Sequence, residues 1–329
     1  MKYSVYIIML MSLFLYGCSQ DGLIAEQEET QEVYTVSLKF NGDIQTEESP
    51  LSRVETDSRD LYGIQVYRDG EHFAAGMFDN ANNITINLLA GSSYKFVCTA
   101  IKEGKDICYY GNNSYGNVYE YGYGCAPFFS YQDGFLWERC NLFYYSVDSD
   151  YGLHALSESS IEIPFKNSYG HANSTCYEAD RFYGESDNYT PSVNGIVNLE
   201  LKRVSFGVKL KVSNITDGNV TVKCYNHHNT FVDVSGLTSD YESDGKIFSM
   251  ANVYDAWQYA SSYTEDIKLD VVWNRGVGVT QSWTKTFQVK RNAMNTIRVK
   301  LGEDEYDSGV GVTPEGGDMG SEEEEIPLK

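Results

Sequence analysis

Short stretches of alternating apolar and polar residues, cut off from one another by turn residues, constrain this chain more than any other feature. In residues 33–40 (VYTVSLKF), Val36, Leu38 and Phe40 alternate with Thr35, Ser37 and Lys39. A period of two sends one row into a core and the other into water, which is the geometry of a half-buried strand. Residues 61–67, 83–89 and 93–101 also read as strands, with a turn at Asp69-Gly70 and a short hairpin at Ala90-Gly91-Ser92. Residues 135–147 and 161–163 add further strand signals. The run 195–212 alternates throughout, but its phase shifts around Arg203–Phe206, which predicts two strands or a bend. A turn at 214–219 leads into a strand at 220–225, and strands follow at 266–273, 283–289 and 295–301, with Asn292-Ala293-Met294 as a hairpin between the last two. Residues 251–260 (ANVYDAWQYA) read as one short helix. About a dozen such strands predict an all-β chain built from β-sandwiches. At 329 residues the chain exceeds what one core fills, so two domains are expected, 33–191 and 192–303, parting near Tyr189-Thr190-Pro191-Ser192.

The N-terminus is of another kind. Lys2 precedes a short apolar run from Tyr6 to Tyr16, and Leu15-Tyr16-Gly17-Cys18 closes it with a small residue before a cysteine. The run is too short to span a bilayer and reads as a signal peptide, residues 1–17. Cleavage before Cys18 and acylation of its thiol would make an outer-membrane lipoprotein held by several acyl chains. Residues 18–32 are acidic and polar and read as a flexible tether. The tail, 304–329, is acidic and Gly-rich and reads as disordered or as a strand to be donated.

The formal charge of −22 argues against nucleic acid as a partner, since a chain without a basic cluster repels phosphate backbones. After Cys18, six cysteines remain of the chain's 7. Cys98 with Cys108, or Cys125 with Cys140, would make local bridges in an exported protein; buried free thiols are the alternative. No Cys-x-x-Cys, His-Glu-x-x-His, Gly-x-Ser-x-Gly or phosphate-binding loop is present, so neither a catalytic centre nor a cofactor is expected. His227 and His228 are adjacent and would face opposite ways on a strand, so no metal site is expected there. Asp148-Ser149-Asp150 resembles part of a calcium loop but lacks the later carboxylate and fits a turn. Residues 109–134 are built from Tyr, Gly, Asn and Ser and read as a long insertion loop. Its tyrosines, Tyr121 and Tyr123 among them, could stack on sugars or contact a host protein, or fold back over a sheet.

Taken in order, several features resemble one known family. A lipobox and acidic tether precede a first strand, which leads into Thr46-Glu47-Glu48-Ser49-Pro50-Leu51-Ser52-Arg53. The chain resumes with Asp60-Leu61-Tyr62-Gly63-Ile64-Gln65-Val66-Tyr67; the second half opens with Leu201-Lys202-Arg203-Val204-Ser205-Phe206-Gly207-Val208 and closes with Lys290-Arg291-Asn292 and Asn295-Thr296-Ile297. This resembles the fimbrillin-like lipoproteins of Bacteroidales, the subunits and accessory proteins of type V pili. The Tyr-rich insertion and the cysteine count depart from the family's pattern. The resemblance implies two tandem transthyretin-like, Greek-key β-sandwich domains without catalytic activity, located at the cell surface or in a fimbrium. It also implies a role as pilus subunit, tip or anchor, and, in polymerising members but not in anchors that keep their lipid, cleavage by an arginine-directed protease in the loop after the first strand, with Arg53 and Arg59 as the candidates here. The strand carrying Val36, Leu38 and Phe40 then leaves, and a strand from another pilus subunit takes its place, with 308–312 as a candidate donor. Burial of those three side chains is worth about 5–8 kcal/mol, which a replacement strand would have to recover. The alternative function is a glycan-binding surface lipoprotein that uses the 109–134 loop.

Overall fold

The computed structural model describes residues 32–44, 59–104, 141–145, 156, 165–166, 172–173, 178–227, 230–276, 278–302, 309–315 and 324–327. The first half supplies β1 (Val33–Gly42), β2 (Leu61–Arg68), β3 (Glu71–Phe78), β4 (Thr85–Leu89), β5 (Tyr94–Ile101), β6 (Leu142–Tyr145), β7 (Phe165–Lys166), β8 (Ala172–Asn173), β9 (Arg181–Glu185) and β10 (Gly195–Arg203). The second supplies β11 (Ser205–Ser213), β12 (Asn219–Tyr225), β13 (Thr230–Leu237), β14 (Tyr241–Glu242), β15 (Lys246–Ser249), the single-turn helix α1 (Val253–Gln258), β16 (Thr264–Arg275), β17 (Val279–Lys290), β18 (Met294–Lys300), β19 (Gly309–Glu315) and β20 (Glu324–Pro327). The all-β sandwich expectation holds.

Eight strands make one sheet in the order β4-β1-β10-β9-β5-β2-β3-β6. It folds over on itself. Val36, Leu38 and Phe40 of β1, Ile86 and Leu88 of β4, and Val197, Leu199 and Leu201 of β10 share one apolar cluster with Tyr62, Ile64, Val66, Phe78, Tyr94 and Phe96 from the opposite arm. Two packed layers bury the alternate residues of both faces, as in any aligned sandwich. β2 and β3 join through Asp69-Gly70, both at positive φ (53 and 90), the backbone that a tight two-residue hairpin needs.

A second sandwich follows. One layer is β14-β11-β18-β19-β20, with β15 also on β11; the other is β13-β12-β16-β17. Phe206, Val208, Leu210 and Val212 of β11 and Ile297 and Val299 of β18 pack with Val222, Cys224, Leu269, Val271 and Trp273 from the facing layer. Phe206, Phe231 and Phe248 make a cluster of edge-on and tilted rings across it.

Several expectations need correction. β4 and β5 do not pair; they lie in opposite layers, so 90–92 carries the chain across the sandwich rather than round a hairpin. Residues 291–293 do the same, because β17 pairs with β16 while β18 pairs with β11 and β19. β10 pairs with β1, so the change of sheet comes at Val204, which alone separates β10 from β11, and not near 191. The loop around Pro191, which reads as a boundary in the sequence, is the approach to β10. Cys98 is a free buried thiol and not a partner of Cys108, and Cys224 is likewise free. Burial raises the pKa of both. Within the tail, 309–315 is strand: β19 pairs antiparallel with β18, from Met294↔Glu315 to Lys300↔Gly309.

Candidate functional site

The first strand sits inside its sheet, between β4 and β10. It runs parallel to β10 in register from Val36↔Gly195 to Gly42↔Leu201. On its other side the Leu38 N–H donates to Ile84 O at 2.9 Å, and Thr35 Oγ1 donates to Asn87 Oδ1 at 2.9 Å. Val36, Leu38 and Phe40 are 0%, 2% and 8% exposed. Phe40 lies flat on Tyr62 of the facing layer, ring centroids 5.3 Å apart. The alternation seen in the sequence is therefore a row of plugs in a slot, and taking β1 out would separate β4 from β10 and bare that row's partners.

The slot has a defined end. Gly42 has φ +98, and a Cβ there would lie 2.6 Å from Leu201 O, so only glycine turns the chain this close to β10. Asp43 comes next. Its N–H donates to Leu201 O at 2.9 Å. Its Oδ2 accepts from the Arg203 backbone N–H at 2.9 Å and from Arg291 Nη1 at 2.8 Å. Arg291 sits in the turn between β17 and β18 of the second sandwich; its Nη1 also donates to Arg203 O at 2.9 Å and its Nε to Ala260 O at 3.1 Å. The Arg203 guanidinium points elsewhere: it makes a two-pronged pair with Asp180, and its Nη1 donates to Asn292 Oδ1 at 3.3 Å. The end of β1 is thus tied to the place where the two sandwiches meet. Sequence reading missed Asp43. Its partner is 248 residues away, and no local pattern marks a loop aspartate as a ligand for a distant arginine.

Of the remaining sequence candidates, Arg59 is exposed, one residue before Asp60 and the start of β2. Cys18, Arg53, Tyr121 and Tyr123 lie outside the described residues, as do 161–163, Asp148-Ser149-Asp150 and the loop 109–134. The donor candidate 308–312 is, from Gly309 on, part of β19 and engaged with its own β18. Among the described residues no group of His, Cys, Asp or Glu is placed to hold a metal ion, and no helix is long and apolar enough to cross a membrane.

A cleft of about 510 Å³ opens elsewhere on the first sheet, lined by Tyr67, Lys95, Tyr183 and Glu185 among others. Its central carboxylate is already satisfied: Glu185 pairs with Lys95 Nζ at 2.5 Å and accepts from the Tyr183 hydroxyl. Burial, then Glu185, raises the pKa of the Tyr183 phenol. The group is a closed set of partners rather than an acid poised beside a base.

No protein-family model matches the chain, and no curated protein matches it. Among solved structures it is similar to the fimbrial anchor protein Mfa2 from Porphyromonas gingivalis, with 11% identity over 88% of this chain and 100% of that one and a TM-score of 0.36. It is similar also to the tip fimbrial protein Mfa3 from Porphyromonas gingivalis with C-terminal truncation (9% identity, 86% of this chain, 99% of that one, TM-score 0.34). A third is a fimbrial assembly protein from Parabacteroides distasonis (10% identity, 89% of this chain, 99% of that one, TM-score 0.30).

Proposed function

We propose that this chain is a non-catalytic, fimbrial-type cell-surface protein that assembles with other subunits by exchange of β1. The observation that carries the reading is the placement of β1: a terminal strand whose three apolar side chains fill a slot between β4 and β10, followed by a stretch that holds Arg53 and Arg59. Lipid on Cys18 delivers the protein to the outer membrane. A cut after either arginine frees β1 from the body, because both lie on its C-terminal side. A strand of another subunit then recovers the buried area and the backbone pairing, which is β-strand addition in its usual form. The two sandwiches serve as tandem domains joined at Val204, and adhesion follows from the assembled fibre.

The test is N-terminal sequencing of protein extracted from the cell surface. A start at Val54 or Asp60 is the expected result. A chain that still begins at an acylated Cys18 in the assembled fibre would overturn exchange and leave a lipid-held subunit with β1 fixed in place.

A further inference from the structure

β1 does not end at its last paired residue. Asp43 extends it into a site made by Arg291 of the other sandwich and the end of β10, and Arg291 has partners there besides Asp43. The Arg291 guanidinium is only 16% exposed at its side chain. It is already oriented by two carbonyls, Ala260 O through Nε and Arg203 O through Nη1. The Arg203 N–H that shares the Asp43 carboxylate belongs to the last residue of β10. Neither of these two carbonyl contacts involves β1. Asp43 leaves with β1, because both candidate cleavage sites follow it in the chain. The opened slot therefore presents a cation oriented by two carbonyls and a backbone N–H with no anion between them, and a charge-assisted hydrogen-bonded pair is lost there. A donated strand that brings a carboxylate restores that pair; one that brings only apolar residues does not.

We propose that Arg291, with the backbone N–H of Arg203, is a carboxylate receptor at the mouth of the β1 slot: Asp43 fills it in the resting chain, and an acidic residue on the strand donated by a second copy fills it after exchange. The inference rests on the exchange reading above. It also specifies the donor. Val36, Leu38 and Phe40 are followed three residues later by Asp43, across Gly42. The donated strand should carry three alternate apolar residues, then a residue tolerant of positive φ, then Asp or Glu.

The experiment uses the full chain nicked by an arginine-specific protease between β1 and β2, with the resident strand still seated. It is challenged with a fluorescent synthetic peptide of residues 33–44, in the native sequence or with Asp43→Asn. The native peptide is expected to replace the resident strand and the Asp43→Asn peptide to bind about tenfold more weakly, as for the loss of hydrogen bonds to a charged group. In the Arg291→Met chain the two peptides are expected to bind alike. Equal binding to the unaltered chain overturns the receptor and leaves exchange standing. Entry of neither peptide overturns exchange, and the receptor with it. Should Arg291→Met fail to fold, the two peptides on the unaltered chain decide the matter alone.

Discussion

The two sandwiches share a construction and differ in how it is secured. In each, the first strand runs parallel to a strand from late in the same sandwich: β1 beside β10 from Val36↔Gly195 to Gly42↔Leu201, and β11 beside β18 from Gly207↔Met294 to Ser213↔Lys300. Each first strand also has a neighbour on its other side, β4 in one case and β14 with β15 in the other. The difference is covalent. β11 continues from β10 through Val204 and cannot leave without dismantling both bodies. β1 is joined covalently to the rest of the described fold only on its C-terminal side, beyond Asp43. In addition, β18 is backed by β19 and β20, whereas β9 meets β10 only at Lys202 and Arg203. Equal burial therefore does not mean equal attachment: Val36 and Phe206 are both 0% exposed, yet only the exchange proposed above would let one of them leave.

That contrast can be broken or sharpened by substitution. The largest effect is expected at β11. Phe206→Ala removes a ring packed against Phe231 and Phe248 and should lower the global unfolding free energy by about 3–5 kcal/mol in a urea titration. Leu38→Ala should cost about 2–4 kcal/mol, but the loss should appear in native-state hydrogen exchange as faster opening of β1, with β16 and β18 protected as before. If Leu38→Ala loosens both sandwiches equally, β1 is not a separable unit. The smallest effect concerns His72 in β3, whose ring nitrogens are buried without hydrogen-bond partners beside Tyr67. Burial lowers its pKa. The folded chain thus binds this proton less readily than the unfolded one, and the stability at stake is present above the ordinary histidine range and is lost as pH falls through and below it. A His72→Phe variant should flatten that part of the pH–stability curve, with β11 and its neighbours unaffected.

Local rhythm accounts for most of the fold that the sequence reveals. β1 is legible because one face is buried and one wet, and the phase slip at Arg203–Phe206 marks the passage from β10 to β11. β3 escapes notice because Ala74, Ala75, Gly76, Met77 and Phe78 are all buried, and a strand covered on both faces has no alternation to read. Two short connections, 90–92 and 291–293, look like hairpins because turn chemistry is the same whether a chain returns to its neighbour or crosses to the facing layer. Arg291 and Arg203 stand out in the sequence only as part of a resemblance. Their role depends on a contact between residues 43 and 291 that only the folded chain brings about.

The parallel pairs β1–β10 and β11–β18 also have a mechanical consequence. Suppose the occupant of the β1 slot is pulled towards its N-terminus while β10 is drawn the other way through Val204. Tension then runs along both strands, and their ladder is loaded in shear. Every rung must stretch together, unlike a hairpin opened one rung at a time from its end. Beyond Val204 the same pull enters β11, which lies beside β18 in the same orientation. A thread built from such units would resist tugging along its length far better than peeling from the side.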